Sequence, residues 1–216
     1  MKKNLYLSIL VIGFLLIGTV GMSGATSYDP TADFSLSANP NGVWTYGWMP
    51  SDFSSFNSYT DTITGAFKQW YTPGMSGDYT PTVGYNYTST TNYGVLPGQL
   101  TLHPGPGGQA SVLRFTTPSA GQYVIDGEFF SGDIGTMLVG VRQGTSWLWQ
   151  GTDAGAFHLT PSLAANDAID FVVYGGYGFG NTPLDLKIST VPGPATLLLL
   201  GPGLVGLAAV RRRFKK

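Results

Sequence analysis

SVLRFTTPSAGQYVIDGEFF, residues 111–130, is the stretch that decides the fold. Ser111–Thr116 and Gln122–Phe130 are short runs of apolar and polar residues, separated by a segment containing Pro118, Ser119 and Gly121. Period-two patterning marks half-buried strands, and Pro, Ser and Gly between them mark a turn. The same grammar repeats in both directions. Ala32–Ala38 alternates, with Phe34 and Leu36 on one face, and Asn39-Pro-Asn-Gly42 reads as a turn. Val43–Met49 places Trp44, Tyr46 and Trp48 on one face. Further strands are expected at 66–71, 82–89, 99–103, 137–142, 146–150, 156–160, 168–174 and 184–189. About a dozen short strands at 8–12-residue spacing, with weak helical periodicity and no internal repeat, predict an antiparallel β-sandwich of the jelly-roll kind. The expected core is Val112, Leu113, Phe115, Tyr123, Ile125, Phe129, Leu138, Val139, Val141, Ile169, Phe171, Val173 and Ile188.

Composition agrees with one such domain over residues 26–190 and says more about the ends. The 216 residues carry 11 basic and 12 acidic side chains, a net charge of −1. This balance hides a segregation. Lys2, Lys3, Arg211, Arg212, Arg213, Lys215 and Lys216 are terminal, and all 12 acidic residues lie between. Only Lys68, Arg114, Arg142 and Lys187 offset them, so residues 26–190 carry −8, which argues against nucleic-acid binding. With 0 Cys and 2 His, disulfide frameworks, thiolate sites, a cysteine nucleophile and a histidine-rich metal cage are excluded.

The termini read as membrane-directed. Lys2 and Lys3 precede an apolar run from Leu5 to Met22, and Ser23-Gly-Ala25 places small residues at −3 and −1 of a cleavage site. Residues 1–25 are therefore expected to be a signal peptide cleaved after Ala25, with an uncleaved signal anchor as the alternative. Residues 195–210 are apolar throughout and followed by the basic cluster 211–216, which predicts a transmembrane helix with a cytoplasmic tail. Gly201-Pro-Gly203-Leu-Val-Gly206 fits G-x-G-x-x-G, but no acidic residue follows it, so a small-residue helix face replaces the dinucleotide reading.

Val191-Pro-Gly-Pro194, the apolar run to Val210 and Arg211–Arg213 together resemble the PEP-CTERM sorting signal. That family carries Glu between the prolines, where this chain has Gly193. The resemblance implies processing by an exosortase-like enzyme near Pro192–Pro194, in a bacterium with an outer membrane. An inner-membrane precursor would then pass to the cell surface or extracellular matrix; a plain membrane anchor is the alternative. Residues 39–48, 102–105, 112–125 and 167–173 resemble a β-sandwich module of bacterial surface proteins, similar in build to galactose-binding-like and carbohydrate-binding sandwiches. This resemblance bears on fold more than on function.

Candidate chemistry in the middle is sparse. His103 ends a strand in Leu-His-Pro-Gly, and His158 lies within one, but no G-x-S-x-G surrounds any serine. Asp126 and Glu128 share a strand face, as a glycosidase pair or as the solvent side of the strand. Asp133, Asp153, Asn166 and Asp167 are loop oxygens that calcium could use, without a D-x-D-x-D-G loop. Asn86-Tyr-Thr88 fits a glycosylation acceptor. The aromatic content suggests an exposed face that stacks on sugars, for which Trp44, Trp48, Trp147, Trp149, Tyr174 and Tyr177 are the candidates; they could equally fill two packed sheets. Tyr174-Gly-Gly-Tyr-Gly-Phe-Gly180 reads as a recognition loop. The expectation is an exported, non-enzymatic surface or matrix protein sorted by an exosortase, with no cofactor, calcium being the alternative. The alternatives are a carbohydrate-binding module for exopolysaccharide or a secreted hydrolase.

Overall fold

A computed structural model describes residues 24–192, and strands are the regular structure found there. They are β1 (Ser27–Tyr28), β2 (Trp44–Met49), β3 (Asn57–Ser58), β4 (Asp61–Thr64), β5 (Lys68–Tyr71), β6 (Thr82–Tyr85), β7 (Leu100–His103), β8 (Ala110–Thr116), β9 (Gly121–Phe129), β10 (Leu138–Gln143), β11 (Ser146–Thr152), β12 (Gly155–Leu159), β13 (Ser162–Leu163), β14 (Ala168–Tyr174) and β15 (Thr182–Thr190). Among the described residues no helix is long and apolar enough to cross a membrane. Ser23, Gly193, Pro194, the apolar run 195–210 and Arg211, Arg212 and Arg213 lie outside the described residues.

The strands form two antiparallel sheets. The first has nine strands in the order β12-β9-β15-β7-β6-β5-β4, with β1 on β15 and β13 on β9; the second is β11-β10-β14-β8-β2-β3. Residues 111–130 behave as their pattern requires. Strand β8 enters the second sheet between β14 and β2, and the turn carries the chain across, so that β9 pairs with β15 in the first. Leu113 and Phe115 from one sheet then meet Tyr123, Ile125 and Phe129 from the other in one buried cluster. Trp44, Tyr46, Val139, Val141, Ile169, Phe171 and Val173 join from the second sheet, and Trp70, Val83, Leu100, Leu102, Leu184 and Ile188 from the first. Each buried aliphatic or phenyl side chain contributes about 1.5–3 kcal/mol of transfer free energy. Ser111 donates from β8 across the sandwich to the Thr82 carbonyl at 2.7 Å and accepts from the Tyr59 hydroxyl at 3.3 Å, so its buried hydroxyl is paired.

Two expectations need correction. Ala32–Ala38 is not a strand. Phe34 and Leu36 do pack against the core, but side chains bind the segment to its surroundings. Asp33 accepts from the Trp44 indole at 3.0 Å, and the Ser35 carbonyl from the Trp70 indole at 2.7 Å. Next to it, Asn39 pairs with the backbone of Tyr46 in both directions. Leu138 is 37% exposed, because the parity of β10 that buries Val139 and Val141 turns Leu138 outward. Val112 is buried, but on the opposite side from Leu113, in a small cluster with Met49, Ala110 and Val172.

The sandwich also fixes where its chain ends emerge. Strand β1 pairs with the end of β15, and the Thr190 amide donates to the Thr26 carbonyl at 2.9 Å. Asn181, just before β15, lies at the other end of that strand, about 25–30 Å away at the usual rise per residue.

Candidate functional site

The outward side of the first sheet builds a cleft over β4–β7. In β7, Leu100 and Leu102 face the core, so Thr101 and His103 face out. The paired residues Ile63↔Gln69 and Thr82↔His103 line its floor. The resulting cavity is about 490 Å³, within the roughly 300–1,000 Å³ range of small-ligand sites.

Four loops supply the walls. The 72–81 loop brings Asp78, Tyr79 and Thr80; the 86–95 loop brings Tyr93; the 130–135 loop brings Asp133; the 175–181 loop brings Phe179 and Asn181. Asn86, fully buried, ties the second loop together. Its amide donates to the carbonyls of Thr90 (2.8 Å) and Val95 (2.9 Å), and its oxygen accepts from Thr88. The glycosylation-type motif is therefore a loop knot, with its asparagine out of reach of solvent. The next contact depends on glycine: Gly94 sits at φ +76°, and a Cβ there would overlap the Gly132 carbonyl. The third and fourth loops join through backbone bonds, Asp133 N–H to Asn181 and Gly135 N–H to Phe179, both 3.1 Å.

Three aromatic rings stand on this rim: Tyr79 is 41% exposed, and Tyr93 and Phe179 are 61% exposed. Each occupies the left-handed backbone region, at φ 64°, 48° and 59°. That conformation costs an L-residue roughly 1–2 kcal/mol, and its persistence in bulky residues marks functional positions. Tyr71 props Tyr79 edge-on at 5.1 Å, and Phe67 supports Tyr93 at 6.1 Å.

The polar interior is anionic and well fixed. The Ser76 hydroxyl donates to Asp78 at 2.6 Å, the Thr80 hydroxyl donates to the same oxygen at 3.0 Å, and the Tyr177 hydroxyl donates to the other oxygen. Partial burial works against ionisation, but the hydrogen bonds from Ser76, Tyr177 and Thr80 outweigh it and hold Asp78 below the usual carboxylate range. Burial pushes His103 down, against the Pro104 carbonyl and the Asp78 and Asp133 carboxylates. His103 Nδ1 lies 2.7 Å from the Pro104 carbonyl and Nε2 accepts from Gly180 N–H at 3.2 Å. Those partners assign the proton to Nδ1 and leave both nitrogens engaged by backbone. Among the described residues lining the cleft there is no Lys or Arg.

The six aromatic candidates fall elsewhere. Trp44 is fully buried and bonded to Asp33, so it cannot meet a ligand. Trp48 and Trp149 are half-buried against the core, Trp149 stacking on Phe129 at 6.0 Å. Trp147 stacks on Tyr174 at 5.3 Å. Tyr174 and Tyr177 line a second cleft, of about 470 Å³, and Tyr177 reaches the first through Asp78. The glycine-rich 174–180 loop carries Phe179, the exposed ring on the rim of the first cleft. Tyr79, Asp78 and Asn181 went unrecognised in the sequence. The rim rings have a local signal: Gly77-Asp-Tyr-Thr-Pro81, Asn92-Tyr-Gly94 and Gly178-Phe-Gly180 each set an aromatic among turn formers, with no alternating partner to bury it.

Other candidates are also placed. Asp126 and Glu128 point to solvent on β9, and Asp126 is paired with His158 at 2.6 Å on the exposed face. Asp133, Asp153 and the pair Asn166–Asp167 lie on three different turns. Among the described residues no group of three or more His, Asp or Glu is arranged to hold a metal ion.

No protein-family model and no curated protein matches the chain. Among solved structures it is similar to the K3 cleaved adhesin domain of Lys-gingipain from Porphyromonas gingivalis, at 15% identity over 60% of this chain and 93% of that one, with a TM-score of 0.35. A family 35 carbohydrate-binding module from Paenibacillus barcinonensis matches at 11% identity, covering 77% and 98%, with a TM-score of 0.33. A family 4 carbohydrate-binding module matches at 13% identity, covering 79% and 96%, also with a TM-score of 0.33. Similarity at this level carries no ligand over to this chain, so the cleft is interpreted from its own geometry.

Proposed function

We propose that the sandwich is a non-enzymatic binding module for an uncharged saccharide, held in the cleft over β4–β7. The observation that carries this reading is the set Tyr79, Tyr93 and Phe179: three exposed rings at left-handed positions around one cavity. Rings at a rim offer flat apolar faces to the C–H faces of a pyranose. Beneath them, Asp78, Gln69, Thr82 and Asn181 offer acceptors and donors to hydroxyl groups, the usual composition of a small-ligand site. Carboxylates without a lining Lys or Arg disfavour an anionic sugar. The engaged nitrogens of His103 suit binding rather than proton transfer.

The surrounding chain gives this module its place. A signal peptide ending at Ala25 and a PEP-CTERM-like tail from Val191 would export the sandwich, hold it at the inner membrane, and let an exosortase-like enzyme pass it to the surface or matrix, where exopolysaccharide is the natural partner.

Two experiments test this reading. On a glycan array, the purified protein is expected to bind neutral glycans, with binding lost in Tyr93→Ala and Phe179→Ala; binding indifferent to both substitutions would overturn the site. The mass of the mature protein from producing cells is expected to correspond to a chain beginning at Thr26 and ending near Pro192–Pro194. Retention of residues 195–216 beside an active exosortase would overturn sorting.

A further inference from the structure

The second cleft is not a separate feature. It is lined by Ser51, Phe53, Pro106, Tyr174 and Tyr177 over a glycine-rich base. The 174–181 loop is its wall and also the wall of the first cleft: Tyr174 and Tyr177 face one side, Phe179 and Asn181 the other. Tyr177 touches both. The Tyr177 ring borders the second cleft, its hydroxyl is bonded to Asp78 of the first, and its edge packs on His103 at 5.6 Å.

The second cleft also repeats the construction of the first. Phe53 has φ 56°, and Trp147 and Tyr174 meet it edge-on at 5.4 and 5.2 Å. Among the described residues six non-glycines have a left-handed φ. Two are Asp153 and Asn166, of the types that tolerate it. The other four are Phe53, Tyr79, Tyr93 and Phe179, and all four line these two clefts.

We propose that the two clefts are the two ends of one track that binds the interior of a linear neutral saccharide chain, crossing the Tyr177–Asp78 bridge, rather than a terminal sugar. This rests on the saccharide reading of the first cleft. A chain that passes the bridge gains a second aromatic platform, and no charged residue lines that side among the described residues.

The test is calorimetric titration of the purified protein with neutral gluco-, xylo-, manno- and galacto-oligosaccharides of graded length, from disaccharides to long chains. For the series that binds, affinity is expected to rise by at least about tenfold from the disaccharide to the longest chain. Phe53→Ala should abolish that gain and leave disaccharide affinity unchanged. Because Phe53 also packs against Trp147, Ser51→Trp provides a second variant: it fills the cleft from an exposed position and should have the same effect. Equal affinity for short and long chains, unaffected by either variant but lost in Tyr93→Ala, would overturn the track and leave the first cleft standing. No binding in any series would overturn both.

Discussion

The outward faces of the two sheets begin from the same alternating strands and end differently. On the second sheet the chain covers its own surface. Phe56 lies over Gly47, and Trp147 over Gly140. The Arg114 guanidinium sits 3.8 Å from the Phe56 ring, and that of Arg142 sits 4.6 Å from Phe53 and 5.0 Å from Trp147. Phe56, Trp147 and the two cations satisfy each other there, Phe53 lies at the margin where it also lines the second cleft, and Met49, Ala110, Val112 and Val172 are buried beneath. On the first sheet, over β4–β7, the rings rise from loops and stand around the floor instead of on it. Aromatic content alone therefore says little about binding; what matters is whether a ring is mounted on a strand that can bury it or on a turn that cannot.

That contrast can be broken at several points. The largest effect is expected at the covered face. Arg114 grips Asp170 with two bonds, 2.7 and 2.9 Å, and Asp170 is only 1% exposed. Arg114→Met leaves that carboxylate buried without its partner and should cost about 3–5 kcal/mol in urea denaturation. At the open face, Tyr93→Ala or Phe179→Ala should weaken saccharide binding by about 2 kcal/mol or more while shifting stability by less than about 0.5 kcal/mol. Calorimetry and denaturation on the same samples would separate the two effects. Gly94→Ala, which forces a side chain into a left-handed position against Gly132, should lose about 1–3 kcal/mol of stability and reduce binding although it touches no ligand.

The smallest effect is in pH. Asp78 has a depressed pKa, so its contribution is present above the unfolded carboxylate value of about 3.9 and is lost as pH falls through its lower folded value. His103 is also depressed, by burial. The folded state disfavours its protonation, and stability should decline as pH drops below about 6.5. A thermal-melt series between pH 7 and 5 should show this decline, and His103→Gln should flatten it.

Legibility in the sequence follows the same division. Residues 111–130 are legible as two strands and a turn, because apolar alternation there is enforced by burial on one side; that the turn crosses between sheets appears only in the structure. Asp61–Thr64 was invisible, since an edge strand of polar residues has no alternation to read, and the two-residue strands β1, β3 and β13 are shorter than any pattern. Ala32–Ala38 carried a true apolar face but no partner strand. For the site, the 174–180 loop and Tyr93 were within reach. Trp44 misled, because it sits on the core-facing side of its strand and its indole N–H finds Asp33 inside. Asp78 and Asn181 acquire meaning only when loops about a hundred residues apart in sequence close over one sheet.

The most direct test of the central claim is a chemical-shift map of the purified protein titrated with a neutral oligosaccharide that it binds. Perturbations are expected at Gln69, Asp78, Tyr79, Tyr93, Phe179 and Asn181, with the outward face of Arg114, Asp170 and Phe56 unmoved. Perturbations confined to that covered face, or to the exposed Asp126–His158 side, would contradict it.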